Sequence, residues 1–351
     1  MRKAASLVYH PVHLDGDYLT GKALDRFERQ KAKFWRTTSS RQRDELRELF
    51  GDEITSLQEC LATGSPVFLA DFACRADARL TSRHYPEGIT DGSLAVMEDL
   101  IMELPADYRE QSTEFIHAAR TALKPGGCQS IKTRLSAAAR EFLRAALAGD
   151  DHRCDEIVDT ALSGGKTVPE VYEQIFVPVL VETGRLWEQD KATIAQEHHV
   201  TALISRLMGR VHDRAHQKER GKRRPGIVTA CVGSELHEIG IRMVADHLRA
   251  DGWEVYHVGA NAPARIIADT VVRRKAGVAA LSVTMAARLP DLDYLIRVLR
   301  AENKTRDVKI IVGGYPFRLV PDLWKMIGAD AVAGSAKDVP AIARRLVTRT
   351  G

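Results

Sequence analysis

The chain has 351 residues, a formal net charge of +4, 44% hydrophobic and 28% charged residues. That length holds two or three domains, and the composition is that of a soluble globular protein. It excludes a membrane-spanning chain, because no apolar run approaches the ~18 residues that cross a bilayer.

The chain opens on Met1-Arg2-Lys3, followed by too short an apolar stretch for a signal peptide. Helical apolar spacing is predicted over Leu19–Trp35, Ser39–Phe50, Thr55–Thr63, Val67–Leu80, Ile89–Leu104 and Ser112–Leu123. Gly64-Ser65-Pro66, Pro86-Glu87-Gly88 and Leu104-Pro105 mark breaks, and Lys124-Pro125-Gly126-Gly127 reads as a linker. Residues 1–125 are therefore expected to form an all-helical domain. It shows no short helix–turn–helix rich in base-reading residues, so direct DNA binding is not evident.

Residues 126–220 are expected to form a helical bundle. Val168–Gly184 places Val171, Ile175, Val179 and Leu180 near one helical face, and a second helix is predicted from Ala192 to about Arg214. Between them lies Arg185-Leu186-Trp187-Glu188-Gln189-Asp190-Lys191. The basic run Lys218–Gly226 is punctuated by glycine and proline and reads as a solvated linker. The five cysteines, Cys60, Cys74, Cys128, Cys154 and Cys231, are odd in number and widely spaced. They suggest neither a zinc site nor a redox pair, and set the expectation of a reducing cytoplasm.

Residues 221–351 alternate strands with helices. Ile227–Val232, Trp253–Gly259, Val278–Met285, Val308–Gly314 and Ala329–Ala333 are short apolar runs. Helical patterns lie at Ala262–Lys275, Leu289–Glu302, Val320–Ile327 and Asp338–Arg349. Such alternation predicts right-handed crossovers and a parallel sheet. Five strands predict a flavodoxin-like, doubly wound α/β fold, preceded by the all-α regions. The first strand stops at Gly233-Ser234 and is followed by Glu235-Leu236-His237-Glu238-Ile239-Gly240. That places His237 at the carboxyl end of a strand, where open sheets bind ligands, and histidine is the commonest metal ligand.

Glu235-x-His237-x-x-Gly240 resembles the Asp-x-His-x-x-Gly signature of cobalamin-binding domains, such as those of methionine synthase and corrinoid methyltransferases. Ser282-Val283-Thr284 resembles that family's Ser-x-Leu element, and Gly313-Gly314 its Gly-Gly element. The resemblance implies that His237 is the lower cobalt ligand and that the nucleotide tail enters the domain core. Gly313 and Gly314 would leave room for the tail, with Ser282 and Thr284 offering it hydroxyls. Glu235 stands where the family has Asp, the carboxylate that orients the histidine, and Thr284 stands where it has Leu.

The segment before the sheet resembles the helical cap over cobalamin in methionine synthase, corrinoid proteins and light-sensing cobalamin-dependent repressors. Trp187, Glu197 and His198 match the cap pattern, and the resemblance covers roughly Ser130–Thr350. It implies that Trp187 covers the upper face of the corrin and excludes water there. In the repressors the residue after this tryptophan is a histidine that binds cobalt once the upper ligand is lost. Here it is Glu188, so a bis-histidine adduct of the usual kind is not expected, and His198 or His199 is the alternative donor.

The cofactor implied is adenosylcobalamin or methylcobalamin. Two functions follow from the resemblance. One is a sensor, with light as a candidate signal, acting through a protein partner such as a transcription regulator and able to form homo-oligomers. The other is a corrinoid methyl carrier for a methyltransferase. The large helical extension favours the sensor over an enzyme subunit.

Overall fold

The computed structural model describes residues 8–128, 134–215 and 226–348. These form two compact units. The first comprises residues 8–128 with 285–290 and 318–327; the second comprises the other described residues. No described helix is long and apolar enough to cross a membrane. Of the basic run Lys218–Gly226, all but Gly226 lies outside the described residues.

The first unit is helical: α1 Gly16–Gln30, α2 Ala32–Trp35, α3 Ser40–Thr63, α4 Val67–Ser82, α5 Ile89–Leu100 and α6 Ala106–Ala122. Three boundaries depart from the expected ones. The Leu19–Trp35 pattern breaks at Lys31, whose backbone (φ −114, ψ 35) leaves the helical region. The two short helices expected between Ser39 and Thr63 are one helix of 24 residues. It starts at a capping box made by Ser39 and Gln42, runs through Gly51, and stops where Gly64 adopts a left-handed conformation. Helix α6 begins at Ala106, directly after Pro105, earlier than the apolar spacing alone implied. The core holds Phe27, Leu46, Leu49, Phe50, Leu57, Leu69, Leu94 and Ile116, with Phe27 edge-on to Phe50 at 5.6 Å.

Two carboxyls are buried in this unit. Ser93 donates to Glu53 Oε1 at 2.5 Å and Tyr9 donates to Glu59 Oε2 at 2.9 Å. Burial pushes both up to about 8, against an ordinary 4.5. The folded chain therefore holds protons that the unfolded chain releases above about pH 4.5. This stabilising contribution is complete below that pH and is lost as pH rises towards 8. Glu53→Gln keeps the shape without the titration. It is expected to raise stability at pH 8 by about 1–3 kcal/mol and to flatten the pH slope of thermal unfolding. A variant that melts with the wild-type slope contradicts this.

One disulfide joins Cys74 of α4 to Cys128, beyond the end of α6. This corrects the reading that the cysteines hold no pair. Fifty-four residues separate the two in sequence, and only the folding of α4 against α6 brings them together.

The second unit begins with the cap helices. They are α7 Ala137–Leu147, α8 Asp151–Ser163, α9 Val168–Val171, α10 Val177–Glu188 and α11 Ile194–Ala215. Helices α9 and α10 are joined through a π-helical segment, Tyr172–Phe176. Pro178 has no N–H to donate there, and π segments are frequent at functional sites. The cap core contains Phe142, Val158, Val171, Tyr172, Phe176, Val200, Ile204 and Leu207.

The rest is α/β: β1 Gly226–Val232, α12 Ile239–Ala250, β2 Glu254–Ala262, α13 Ala264–Arg274, β3 Val278–Ser282, α14 Leu289–Ala301, β4 Lys309–Gly313, α15 Tyr315–Leu319, α16 Leu323–Met326, β5 Ala331–Ala333 and α17 Val339–Thr348. All five strands are parallel, in the order β2-β1-β3-β4-β5. This is the flavodoxin-like order, and its switch point lies between β1 and β3. Strand β3 ends at Ser282, short of the predicted Met285. The helix expected over Val320–Ile327 is shortened to α16, because residues 320–322, which follow the end of α15, form a turn. The cap packs on the sheet domain through α12: Ile239 and Met243 belong to the cap core, and Tyr172 Oη donates to Asp246 Oδ2 at 2.9 Å.

Candidate functional site

Strand β1 is buried from Ile227 onward and delivers its loop to the carboxyl edge of the sheet. Gly233 turns the chain with φ +65, where a Cβ would collide with the Asp291 side chain. The loop is then pinned to the end of β2. Gly233 N donates to Ala262 O at 3.0 Å, and Asn261 N donates to Glu235 O at 2.9 Å.

Glu235 is buried, 1% exposed, and both carboxylate oxygens are engaged. Oε1 lies 2.5 Å from His237 Nδ1 and accepts from His237 N at 3.1 Å. Oε2 accepts from the Thr284 backbone N–H at 2.8 Å. The carboxylate thus bridges the β1 loop to the end of β3 across the switch point. The longer side chain, standing where an aspartate was expected, spans that gap. Thr284 meets it through the backbone, which any residue supplies.

His237 keeps a 60% exposed side chain. With Nδ1 held by Glu235, Nε2 is the ring nitrogen left to face a ligand. The Glu235 hydrogen bond raises the imidazole above its usual range; burial opposes this, and the charges of Glu235 and Glu197 add to it. Glu197 belongs to α11, so a cap helix contributes to the charge that His237 feels. A buried carboxylate behind an exposed imidazole is the arrangement that orients a metal-binding histidine and strengthens its donor. A single such donor suits a metal that arrives with its other ligands in a macrocycle.

The expected glycines differ in what they face. Gly240, in the first turn of α12, has no atom within 4 Å of where a Cβ would stand. That leaves open space beside the histidine loop. Gly313 pairs with Ser282 across β3 and β4, and its Cβ would come within 3.3 Å of Ala333 O. Gly314 has φ +117, and a Cβ there would overlap the Val283 carbonyl. The protein's own backbone already requires glycine at 314, before any ligand is considered. Ser282, Thr284, Gly313 and Gly314 thus cluster at the ends of β3 and β4.

The cap supplies the remaining residues. Trp187, near the end of α10, is 37% exposed, unusual for a tryptophan beside a bundle core. Glu188 follows it as the last residue of α10. Thr193 and Gln196 cap α11 reciprocally, which sets the next residue, Glu197, in its first turn. Glu197 Oε2 lies 2.6 Å from His198 Nδ1, and Oε1 accepts from Thr201 Oγ1 at 3.0 Å. His199 instead lies against Asp151 of α8, at 3.0 Å. Of the two histidines expected as alternative donors, the structure pairs His198 with Glu197 and sends His199 to the α8 side. Val181, Ile194 and Leu236 are further large apolar side chains left exposed on α10, α11 and the β1 loop.

Sequence reasoning missed the contacts that dock the cap. Tyr172 bonds Asp246 and stands edge-on to His247 at 6.1 Å, and Arg242 donates to Ser205 Oγ at 2.7 Å. Ile239, Met243 and Asp246 share a helical spacing on α12, the one signal of a covered face.

Comparison with known proteins agrees with the arrangement. Residues 225–343 match the family described as the B12 binding domain, and residues 138–211 match a second B12 binding domain family. The chain is 26% identical over 246 residues to the HTH-type transcriptional repressor CarH of Myxococcus xanthus, covering 67% of this chain and 80% of that protein. It is 30% identical over 122 residues to dimethylamine corrinoid protein 3 of Methanosarcina mazei, covering 34% of this chain and 71% of that one. In fold it resembles the monomethylamine corrinoid protein of Methanosarcina barkeri, with a TM-score of 0.52 and 19% identity over 58% of this chain and 96% of that chain.

Proposed function

The chain belongs to the B12-binding family and takes cobalamin as its cofactor, and from that premise we propose that it is a cobalamin-based sensor signalling through a protein partner. The observation that carries this reading is the cap: an exposed Trp187 and a Glu197–His198 pair whose charge reaches His237. The proposed division has residues 1–125 as an N-terminal helical domain, 126–220 as the cap and 221–351 as the cobalamin-binding domain.

In this reading His237 Nε2 would hold the cobalt, with Glu235 orienting the imidazole. The exposed Trp187 would exclude water from the bound group, and Glu197 with His198 would contact it. A bound alkylcobalamin would supply a light-labile cobalt–carbon bond. A cap that packs differently with and without the group would give the differential contact that a two-state switch requires. The N-terminal helical unit, which a simple carrier does not need, supports the sensor. The second reading is a methyl carrier, favoured by the 30% identity to a corrinoid protein over 122 residues.

Protein loaded with adenosylcobalamin, followed by absorbance and small-angle scattering under green light, separates the two. A change in shape or oligomeric state on photolysis is expected. Glu188→His should move the photoproduct spectrum towards a bis-imidazole form, because imidazole is the better cobalt donor. Identical scattering curves, with photolysis confirmed by absorbance, would sink the switch and leave the carrier reading ahead.

A further inference from the structure

The disulfide belongs to the helical unit and includes none of the site residues above. Its two cysteines differ from the other three. Cys60, Cys154 and Cys231 are buried, and burial pushes each thiol up to about 12, which keeps them inert. Cys74 is half-buried and Cys128 is exposed. Redox chemistry is thereby confined to one pair among the five cysteines.

The chain is built to deliver Cys128 to that pair. Helix α6 ends at Ala122, and Lys124-Pro125-Gly126-Gly127 folds back over its end. Gly127 N donates to Lys124 O at 2.9 Å, closing the turn. Gly126 has φ +85, and a Cβ on Gly127 would collide with Ala122 O. Each glycine is therefore required by the turn, for different reasons. The same Ala122 carbonyl lies 3.3 Å from Cys128 Sγ and 3.9 Å from Cys74 Sγ. It is the unsatisfied end of a helix, ready to accept from a thiol once the bond is opened. The reduced pair thus has an acceptor already in place for a thiol.

We propose that Cys74 and Cys128 form a reversible thiol–disulfide site that staples the end of α6 to α4. The reaction is exchange with a small disulfide of the glutathione class. One protein thiolate attacks it and expels one glutathione thiolate. The second protein thiolate then attacks the mixed disulfide and expels the other. The protein pair loses two electrons and two protons, and one glutathione disulfide becomes two glutathione molecules.

The test uses the full chain in glutathione buffers of graded ratio, without denaturant, with thiols counted by maleimide labelling. A reversible change of two accessible thiols is expected, absent in Cys74→Ser and Cys128→Ser. Opening the bond should lower the melting midpoint of the helical unit by about 10 °C. The spectrum of bound cobalamin should stay unchanged, which keeps this result separate from the sensor reading. A bond that resists glutathione until the chain is denatured marks a fixed staple and overturns the proposal. So does a pair that opens without lowering that midpoint. Should the serine variants fail to fold, reduction and reoxidation of the wild type carry the same readouts.

Discussion

His237→Ala is expected to raise the dissociation constant for cobalamin more than about 100-fold, since removing even the carboxylate behind a metal-binding histidine costs about 10–100-fold. The residual bound form should keep cobalamin's own base attached, which absorbance reports directly. Glu235→Gln is the graded companion. It keeps an acceptor for the Thr284 N–H but removes the charge that holds His237 above its ordinary 6.5. Because that value is raised, neutral imidazole is lost early as pH falls, and binding should weaken from above pH 6.5 downward. In Glu235→Gln the onset should move to lower pH while affinity at high pH drops by about tenfold. An affinity for His237→Ala equal to wild type removes the histidine from the site. An unmoved pH onset in Glu235→Gln removes the carboxylate from its role.

Gly314→Val is expected to cost about 4 kcal/mol or more of folding stability, because it combines a forbidden backbone conformation with a steric overlap. The new Cβ would meet the Val283 carbonyl at the end of β3, and neither backbone can yield without breaking the sheet edge. The variant should express poorly and unfold early with or without cobalamin. Gly240→Leu is the contrast. With nothing within 4 Å of its Cβ position, it should melt like wild type. It should nonetheless bind cobalamin about tenfold or more weakly, because it fills space beside the histidine loop. A normally stable Gly314→Val, or full affinity in Gly240→Leu, would reverse these assignments. Ligand volume was the reason expected for the glycine at 314, whereas backbone approach is the reason the structure supplies.

The sequence by itself determined the architecture of the sheet domain and the placement of His237 after its first strand. Five apolar runs separated by helical periods leave few ways to build a parallel sheet, and a strand that ends in Gly233 places His237 at its carboxyl edge whatever the details. The cap residues Trp187, Glu197 and His198 were equally visible, since they lie in a local pattern on consecutive helices. Tertiary structure decided what depends on pairs distant in sequence. Helical spacing could not tell one 24-residue α3 from two short helices, because Gly51 weakens the local pattern without breaking a packed helix. Nor could it place Cys128 on Cys74, join Tyr172 to Asp246, or give the second oxygen of Glu235 to Thr284, 49 residues away. Periodicity encodes which face of an element is covered. Partners are set by crossover geometry and register, which exist only once the elements have packed.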